Sequence, residues 1–424
     1  KVRYYKDAIA LAKKHEVPIV LDPVGCHAGA YRLSVVLDLI KTGAISLLRG
    51  NQSEIKAIYD ALSPNNQIDT STTGKGVDGV QVEDSAVMTY RLARLINCPV
   101  VATGEEDYVS DGTRIFAVPH GHPIMTAVTG TGCLLGAVLA AFFSAYQPCK
   151  NTLSIGEFLA YALAYYGLAG ESAVQVSGVK PGSFGVAFMD SLYTLDDTML
   201  VSENRIRPIV VPDQLQVYFV CGTQDTGLNK KRLLEIVEEA CRGGVTCFQF
   251  REKGDGTLEG QQKLELAQQL QHICAKYDVL FIVNDDVELA VAVNADGVHV
   301  GQDDMRLEDV RHLVGHKVVG ISIHSVEELR KTDVVYADCV GVGPMYATSS
   351  KPDAQEPCGP ERISELQAKG LTLPCVGIGG ITLDNTRVVL RAGACGVAVI
   401  SAIAHAEKPY EATRQFKQLV SNSQ

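Results

Sequence analysis

Between Val217 and Ile400 the chain repeats one pattern eight times: a short, apolar, β-branched run and then a connecting segment. The runs are Val217–Cys221, Val245–Phe250, Leu280–Val283, Gly297–Val300, Val318–Ile321, Cys339–Val342, Cys375–Ile378 and Gly396–Ile400. Each is too short for a helix and largely apolar, as a strand buried on both faces must be. Helical spacing appears between them in Lys230–Arg242, Leu258–Tyr277, Glu308–Val314, Val326–Lys331 and Asp384–Ala392. Eight strand–helix units in about 210 residues match a closed (β/α)8 barrel.

In such a barrel the polar residues just past the strands face one shared site. They are Gln249, Phe250, Arg251, Glu252 and Lys253 after the second strand, Asn284 and Asp285 after the third, and Asp303 and Asp304 after the fourth. Ser322 ends the fifth, Thr348, Ser349, Ser350 and Lys351 follow the sixth, Gly377–Gly380 the seventh, and Ile400–Ser401 the eighth. Two acidic clusters on neighbouring strand ends suit a hard cation such as Mg2+. Arg251, Lys253 and Lys351 supply cations on the same rim, and Gly379–Gly380 before a helix can turn N–H groups toward an anion. The inventory is one metal, one diphosphate and one monophosphate. The competing view, that each residue merely belongs to a turn, has to hold at all these positions together.

The first half alternates strands and helices. Strand-like runs at Pro18–Leu21, Ile45–Leu48 and Pro99–Ala102 end in Asp22-Pro23-Val24-Gly25, Arg49-Gly50-Asn51 and Thr103-Gly104-Glu105. Helical spacing covers Tyr5–His15, Ser34–Lys41, Glu54–Leu62, Glu83–Ile96, Leu134–Tyr146 and Ile155–Ser177, with a hairpin around Asp111-Gly112. A doubly wound α/β domain follows. Its chemical centre is Thr129–Cys133, where glycines open a helix whose N–H groups can close on an anion. No P-loop spacing is present. Between the halves, Leu195–Asp213 loses the helical pattern and contains Pro208 and Pro212. That gives a first domain at 1–204, a linker at 205–214 and the barrel at 215–424.

Bulk properties restrict the partners. A net charge of −11 argues against a nucleic-acid backbone, and no apolar run spans a membrane. The twelve cysteines are scattered, several within apolar runs, which favours a reducing, cytoplasmic setting.

The motifs LDPVG (21–25), RGNQSE (49–54), TGEEDY (103–108), VTGTGC (128–133) and PGSF (181–184) together resemble hydroxyethylthiazole kinase, of the ribokinase-like superfamily. The resemblance implies that Arg49, Thr103, Thr129 and Gly132 hold ATP and that Gly130 forms the anion hole. It puts Cys133 at the catalytic helix start, where related enzymes with other substrates use an Asp base. A thiol at a helix start is readily deprotonated, so this exchange is chemically workable. Asp22 and Glu54 suit the Mg2+ of MgATP. The family carries further chain before LDPVG, on the order of 60 residues at about 30 per βαβ unit, so this domain is expected to be incomplete at its N-terminus. The family is often trimeric, so a homo-oligomer, as a trimer through this half, is expected.

The second half resembles thiamine-phosphate synthase through QFREK, VND, DGVHVGQDDM, a T-x-x-K loop, GIGGI and VAVIS, in the family's order. The resemblance implies that Gln249, Arg251, Lys253, Asn284, Ser322 and Lys351 hold an aminopyrimidine diphosphate. Asp285 and Asp304 then carry Mg2+, and Thr348, Ser350, Gly380, Ile400 and Ser401 hold the thiazole phosphate. Arg251 and Lys351 join Cys133 as the catalytic candidates. Asp286 replaces a common Arg and Ser350 a common Thr. The implied reaction is displacement of diphosphate at the pyrimidine methylene by the thiazole nitrogen, with no protein nucleophile. ATP is a co-substrate of the first half only, and all substrates are small molecules. The alternatives are a different phosphate-handling barrel, such as an isomerase or aldolase, and an active barrel joined to a kinase half that only binds or assembles.

Overall fold

Inward and outward side chains alternate along every strand, and that parity decides which residues reach a ligand. The computed structural model describes residues 2–63, 82–149, 153–203, 205–348 and 355–423. The chain divides into two compact units, Lys1–Ile209 and Val210–Gln424.

In the first unit, β1 (Val20–Leu21), β2 (Leu47–Asn51) and β3 (Val100–Thr103) run parallel. β4 (Asp107–Ser110), β5 (Ile115–Val118) and β6 (Arg207–Ile209) continue the sheet antiparallel, in the order β1-β2-β3-β4-β5-β6. The helix Val82–Ile96 packs on β3, β4 and β5, and the helix Ile155–Ser177 on β4 and β5. Leu47, Leu48, Val100, Val101, Tyr108 and Val109 are fully buried beneath them. Each buried aliphatic side chain contributes about 2 kcal/mol, so this short-stranded sheet is held chiefly by its helices.

Two segments depart from the sequence expectation. Leu195–Asp213 is not irregular. Asp196 caps a short helix, Asp197–Ser202, by accepting the Met199 N–H at 3.0 Å. Among the described residues β6 pairs only with β5, so Pro208 lies on a sheet edge, where its missing N–H costs no ladder bond. The PGSF motif opens a helix, Pro181–Thr194, that sequence spacing did not reveal. Gly182 and Gly185 obscure its period, while Phe184 and Phe188 are buried and stacked at 5.4 Å.

The second unit is a closed parallel barrel of β7 (Val217–Cys221), β8 (Cys247–Phe250), β9 (Leu280–Asn284), β10 (Gly297–Val300), β11 (Val318–Ile323), β12 (Cys339–Val342), β13 (Cys375–Ile378) and β14 (Gly396–Val399), with β14 pairing back to β7. Phe219, Phe248, Phe250, Phe281 and Val283 pack in the layer shared with the helices. Tyr218, Val220, Cys247, Leu280, Ile282, Val318, Cys339, Val376 and Ala398 form a separate cluster inside the barrel. Both faces are therefore apolar, which explains the unbroken apolar runs in the sequence. No helix among the described residues is long and apolar enough to cross a membrane.

Candidate active sites in the two units

Continuing the inward parity past each strand leads from Cys247 to Gln249 and Arg251, from Ile282 to Asn284, and from Val318 to Ser322 and His324. These residues line a cavity of about 370 Å³ at the C-terminal mouth of the barrel. Lys253, Asp285, Asp303, Asp304, Thr348, Gly380, Ile400 and Ser401 line it too. Ser350 and Lys351, expected at the same mouth, lie outside the described residues.

One rim is electrostatic. Lys253 Nζ meets Asp285 Oδ2 at 2.8 Å. Burial pushes the Asp285 carboxyl above its ordinary range, Lys253 opposes this, and the nearby Asp304 carboxylate adds to it. Asp285 occupies the left-handed region at φ 60°, which Asp and Asn tolerate better than most residues. Asp304 Oδ2 accepts the Gly301 N–H at 2.7 Å. Two neighbouring carboxylates with one raised titration fit a divalent cation, which would relieve their repulsion. Glu252 is absent from the cavity lining. It accepts the N–H groups of Thr223 and Leu258, each at 2.9 Å, and thereby fixes the strand end that carries Arg251 and Lys253. Asp286, the departure from the family pattern, caps the following helix at 3.0 Å and pairs with Lys263 at 2.7 Å. It is a structural residue here.

The opposite rim is built from glycine. Gly379 and Gly380 have φ of 95° and 62°, and a Cβ on Gly380 would approach the Ala347 carbonyl oxygen to 2.6 Å. Met345 N–H and Tyr346 N–H donate to the carbonyls of Ile378 and Gly379 at 2.7 and 3.0 Å. These bonds tie the loop carrying Thr348 to the glycine turn.

Sequence reading passed over the cavity floor. Tyr218, His299, Gln302, His324 and Gln355 also line the cavity. Gln249 donates to the Tyr218 hydroxyl at 2.8 Å, and His299 Nε2 contacts Ser322 Oγ at 3.0 Å. Burial pushes His299 down to about 4, so its ring is neutral at physiological pH. Strand parity alone would have pointed to Tyr218, His299 and His324.

In the first unit, the candidate site gathers at the ends of β1, β2 and β3. Arg49 Nη1 pairs with Asp22 Oδ2 at 2.9 Å, and Nη2 donates to Thr103 Oγ1 at 3.3 Å. A Cβ on Gly132 would stand 3.5 Å from Arg49 Nη2, so the guanidinium faces the start of the helix Thr131–Ala145. Gly130 caps that helix at φ 101°, Thr129 precedes it, and Cys133 is exposed in its first turn. A cation beside a helix N-terminus suits an anion. Asp22 Oδ1 is buried without a hydrogen-bond partner among the described residues, which fits a cation or a ligand donor. Burial holds Asp22 above its usual range despite Arg49. Glu54, expected as a metal ligand, has a structural part as well. Its two oxygens accept the Gly25 and Asn51 N–H groups at 2.7 and 2.8 Å. Asp107, which sequence reading did not single out, is raised to about 7 by burial.

The sequence model of the thiamine monophosphate synthase family matches residues 217–403, and that of the hydroxyethylthiazole kinase family matches residues 1–198. The "Thiamine biosynthesis bifunctional protein ThiM/ThiE" of Symbiobacterium thermophilum is 36% identical over 414 residues, covering 96% of this chain and 82% of that protein. A "Thiamine-phosphate synthase" of Geobacillus thermodenitrificans is 53% identical over 205 residues, 48% of this chain and 91% of that protein. One from Bacillus thuringiensis is 47% identical over 220 residues, 52% of this chain and 99% of that protein.

Proposed function

We infer that this chain, which belongs to the family of fused hydroxyethylthiazole kinases and thiamine-phosphate synthases, is a two-reaction transferase of thiamine biosynthesis. The first unit phosphorylates hydroxyethylthiazole with ATP, and the barrel joins the resulting thiazole phosphate to aminopyrimidine diphosphate. The reading of the first unit as a mere binding module is not favoured, because the bifunctional relative matches both halves.

The observation that carries the barrel assignment is the pairing of two unlike rims on one cavity. Arg251, Lys253, Asp285 and Asp304 line one part, and Gly379, Gly380 and Ser401 another. Arg251 and Lys253 bind the diphosphate and stabilise its negative charge as it leaves. Mg2+ held by Asp285 and Asp304 would supply further charge neutralisation at that group. Gln249, Asn284 and Ser322 orient the pyrimidine, so that its methylene faces the thiazole nitrogen. Backbone N–H groups of the glycine turn, with Thr348 and Ser401, anchor the thiazole phosphate. Ser350 and Lys351 complete the two sets. The methylene carbon loses its bond to the diphosphate oxygen and gains one to the thiazole nitrogen, so no protein nucleophile or base is needed. Holding both substrates in this geometry supplies much of the acceleration.

In the first unit, Arg49 and Thr103 with the N–H groups of 129–132 hold the ATP phosphates. Gly130 and its neighbours receive the charge of the transferred phosphoryl, and Cys133 stands at the alcohol. Asp22 is the better candidate for the Mg2+ of MgATP, since the Glu54 oxygens already accept backbone N–H groups. The cytoplasm and a homo-oligomer built through this half complete the reading, and light scattering tests the assembly.

The barrel assignment is tested by supplying pyrimidine diphosphate, thiazole phosphate and Mg2+ without ATP. Equal amounts of thiamine phosphate and diphosphate are expected. Diphosphate release without thiamine phosphate would make the barrel a hydrolase instead.

A further inference from the structure

His324 lies two residues past Ser322, so strand alternation sends both side chains to the same side, and both line the barrel cavity. Its backbone N–H donates to Glu328 at 2.6 Å, and its Nδ1 is hydrogen-bonded to the Gly343 carbonyl just past β12. A carbonyl oxygen can only accept, so Nδ1 carries the proton. In the neutral ring the lone pair is then on Nε2. Nε2 has no hydrogen-bond partner among the described residues, and the ring is half-buried at the cavity wall. In its neutral form the ring is then a hydrogen-bond acceptor of fixed tautomer on a residue that lines the cavity.

We propose that His324 Nε2 accepts a hydrogen bond from the exocyclic amine of the aminopyrimidine and is a specificity-determining residue for it. The proposal rests on the thiamine-phosphate synthase reading of the barrel. A lone pair needs a donor, and the two substrates offer few. The diphosphate and the phosphate are ionised acceptors. The thiazole ring has an acceptor nitrogen and a sulfur, and its alcohol is esterified. The pyrimidine amine is the one strong N–H donor on either molecule.

Position on the rim agrees. Arg251 and Lys253 follow β8, while Thr348 follows β12 and the glycine turn β13, so along the β9–β10–β11 side of the closed order β11 lies between the two anion-binding sets. A neutral ring is the part of the substrate that belongs between them. Ser322, two residues earlier, already contacts His299 at 3.0 Å, whereas His324 Nε2 has no hydrogen-bond partner among the described residues. As the diphosphate departs, the pyrimidine gains positive charge and its amine becomes a stronger donor. The bond to Nε2 is therefore stronger in the transition state than before it, which raises kcat as well as affinity.

The test pairs changes in protein and ligand. Calorimetry measures binding, with Mg2+, of pyrimidine diphosphate and of its analogue bearing hydrogen in place of the amine. The proteins are the wild-type full chain, His324→Asn and His324→Gln. An Asn amide can keep the donation to the Gly343 carbonyl but has no acceptor at the Nε2 position, whereas a Gln amide reaches that position. Wild type should prefer the amine by roughly tenfold. His324→Asn should lose that preference with its melting temperature unchanged, and His324→Gln should keep part of it. If Asn melts early, the Gln ratio decides. An unchanged preference in the variants would overturn the proposal. Failure of wild type to bind either compound would instead remove the synthase reading, and the proposal with it.

Discussion

The barrel site and the first-unit site use similar chemistry but are attached to their folds differently. In the barrel, closed strand pairing supports the structure. Lys253 pairs with Asp285, with the Lys253 side chain 53% exposed and that of Asp285 25%. In the first unit, Arg49 is 9% exposed at its side chain and ties Asp22 after β1 to Thr103 of β3, while Glu54 clamps the turn at Gly25. The same groups that would hold ATP also hold the sheet. Function should therefore be separable from stability in the barrel and inseparable from it at the Arg49–Asp22–Thr103 cluster of the first unit.

The largest effect that could break this contrast lies in the barrel. Asp285→Asn should cost about 4 kcal/mol of barrier, near a thousandfold in rate. The fold should not suffer. The folded carboxyl titrates above its unfolded value, so its contribution to stability is full below that value and lost as pH rises through the folded one. At neutral pH the neutral Asn should match or exceed wild type in melting, with the difference vanishing in acid. Asn is the informative choice because Ala at φ 60° would add backbone strain of about 1 kcal/mol. Early melting with normal turnover would make Asp285 structural.

Arg49→Ala should do the reverse. Removing it leaves Asp22 partly buried and unpaired, which should cost the first unit about 3 kcal/mol together with its kinase activity. Barrel turnover with added thiazole phosphate should be unchanged. Separate melting of the two units, followed by calorimetry, would read this out.

A third outcome concerns the barrel floor. His299 is depressed to about 4, so its stabilising effect is present above its unfolded value near 6.5 and lost as pH falls toward 4. Wild type should lose up to about 3 kcal/mol across that window, and His299→Gln should lose less. Denaturant melts at several pH values check the slope. The smallest effect on folding belongs to Cys133→Ala. This exposed position should cost less than about 0.5 kcal/mol of stability while kinase turnover falls by about a hundredfold. Unchanged turnover would make Cys133 a packing residue.

The same contrast governs what could be read from the sequence. A closed parallel barrel writes its topology as repeated apolar runs, and polar residues of inward parity at their C-terminal ends reach the shared cavity, whereas Glu252 and Asp286 beside them do not. Gln249, Arg251, Asn284, Asp285, Asp304 and Ser401 were legible for that reason. His299 and His324 were not, because one is embedded in an apolar strand and the other follows its strand without a charge to mark it. They become visible only when inward parity is carried through the strand. In the first unit the motifs located Asp22, Arg49 and Thr103, but their structural duties depend on neighbours distant in sequence. Glu54 reads as a free acid, although its partners are backbone N–H groups at Gly25 and Asn51. Asp107 carries no mark of its own in the sequence, and only its burial, which raises it to about 7, sets it apart.

The most direct test of the two-reaction account is a single incubation of the full chain with hydroxyethylthiazole, pyrimidine diphosphate and Mg2+, followed by addition of ATP. Thiamine phosphate should form only after ATP is added, and thiazole phosphate in place of the alcohol should remove the need for it. A chain that makes thiamine phosphate from thiazole phosphate but never from the alcohol and ATP would contradict the account at its first unit.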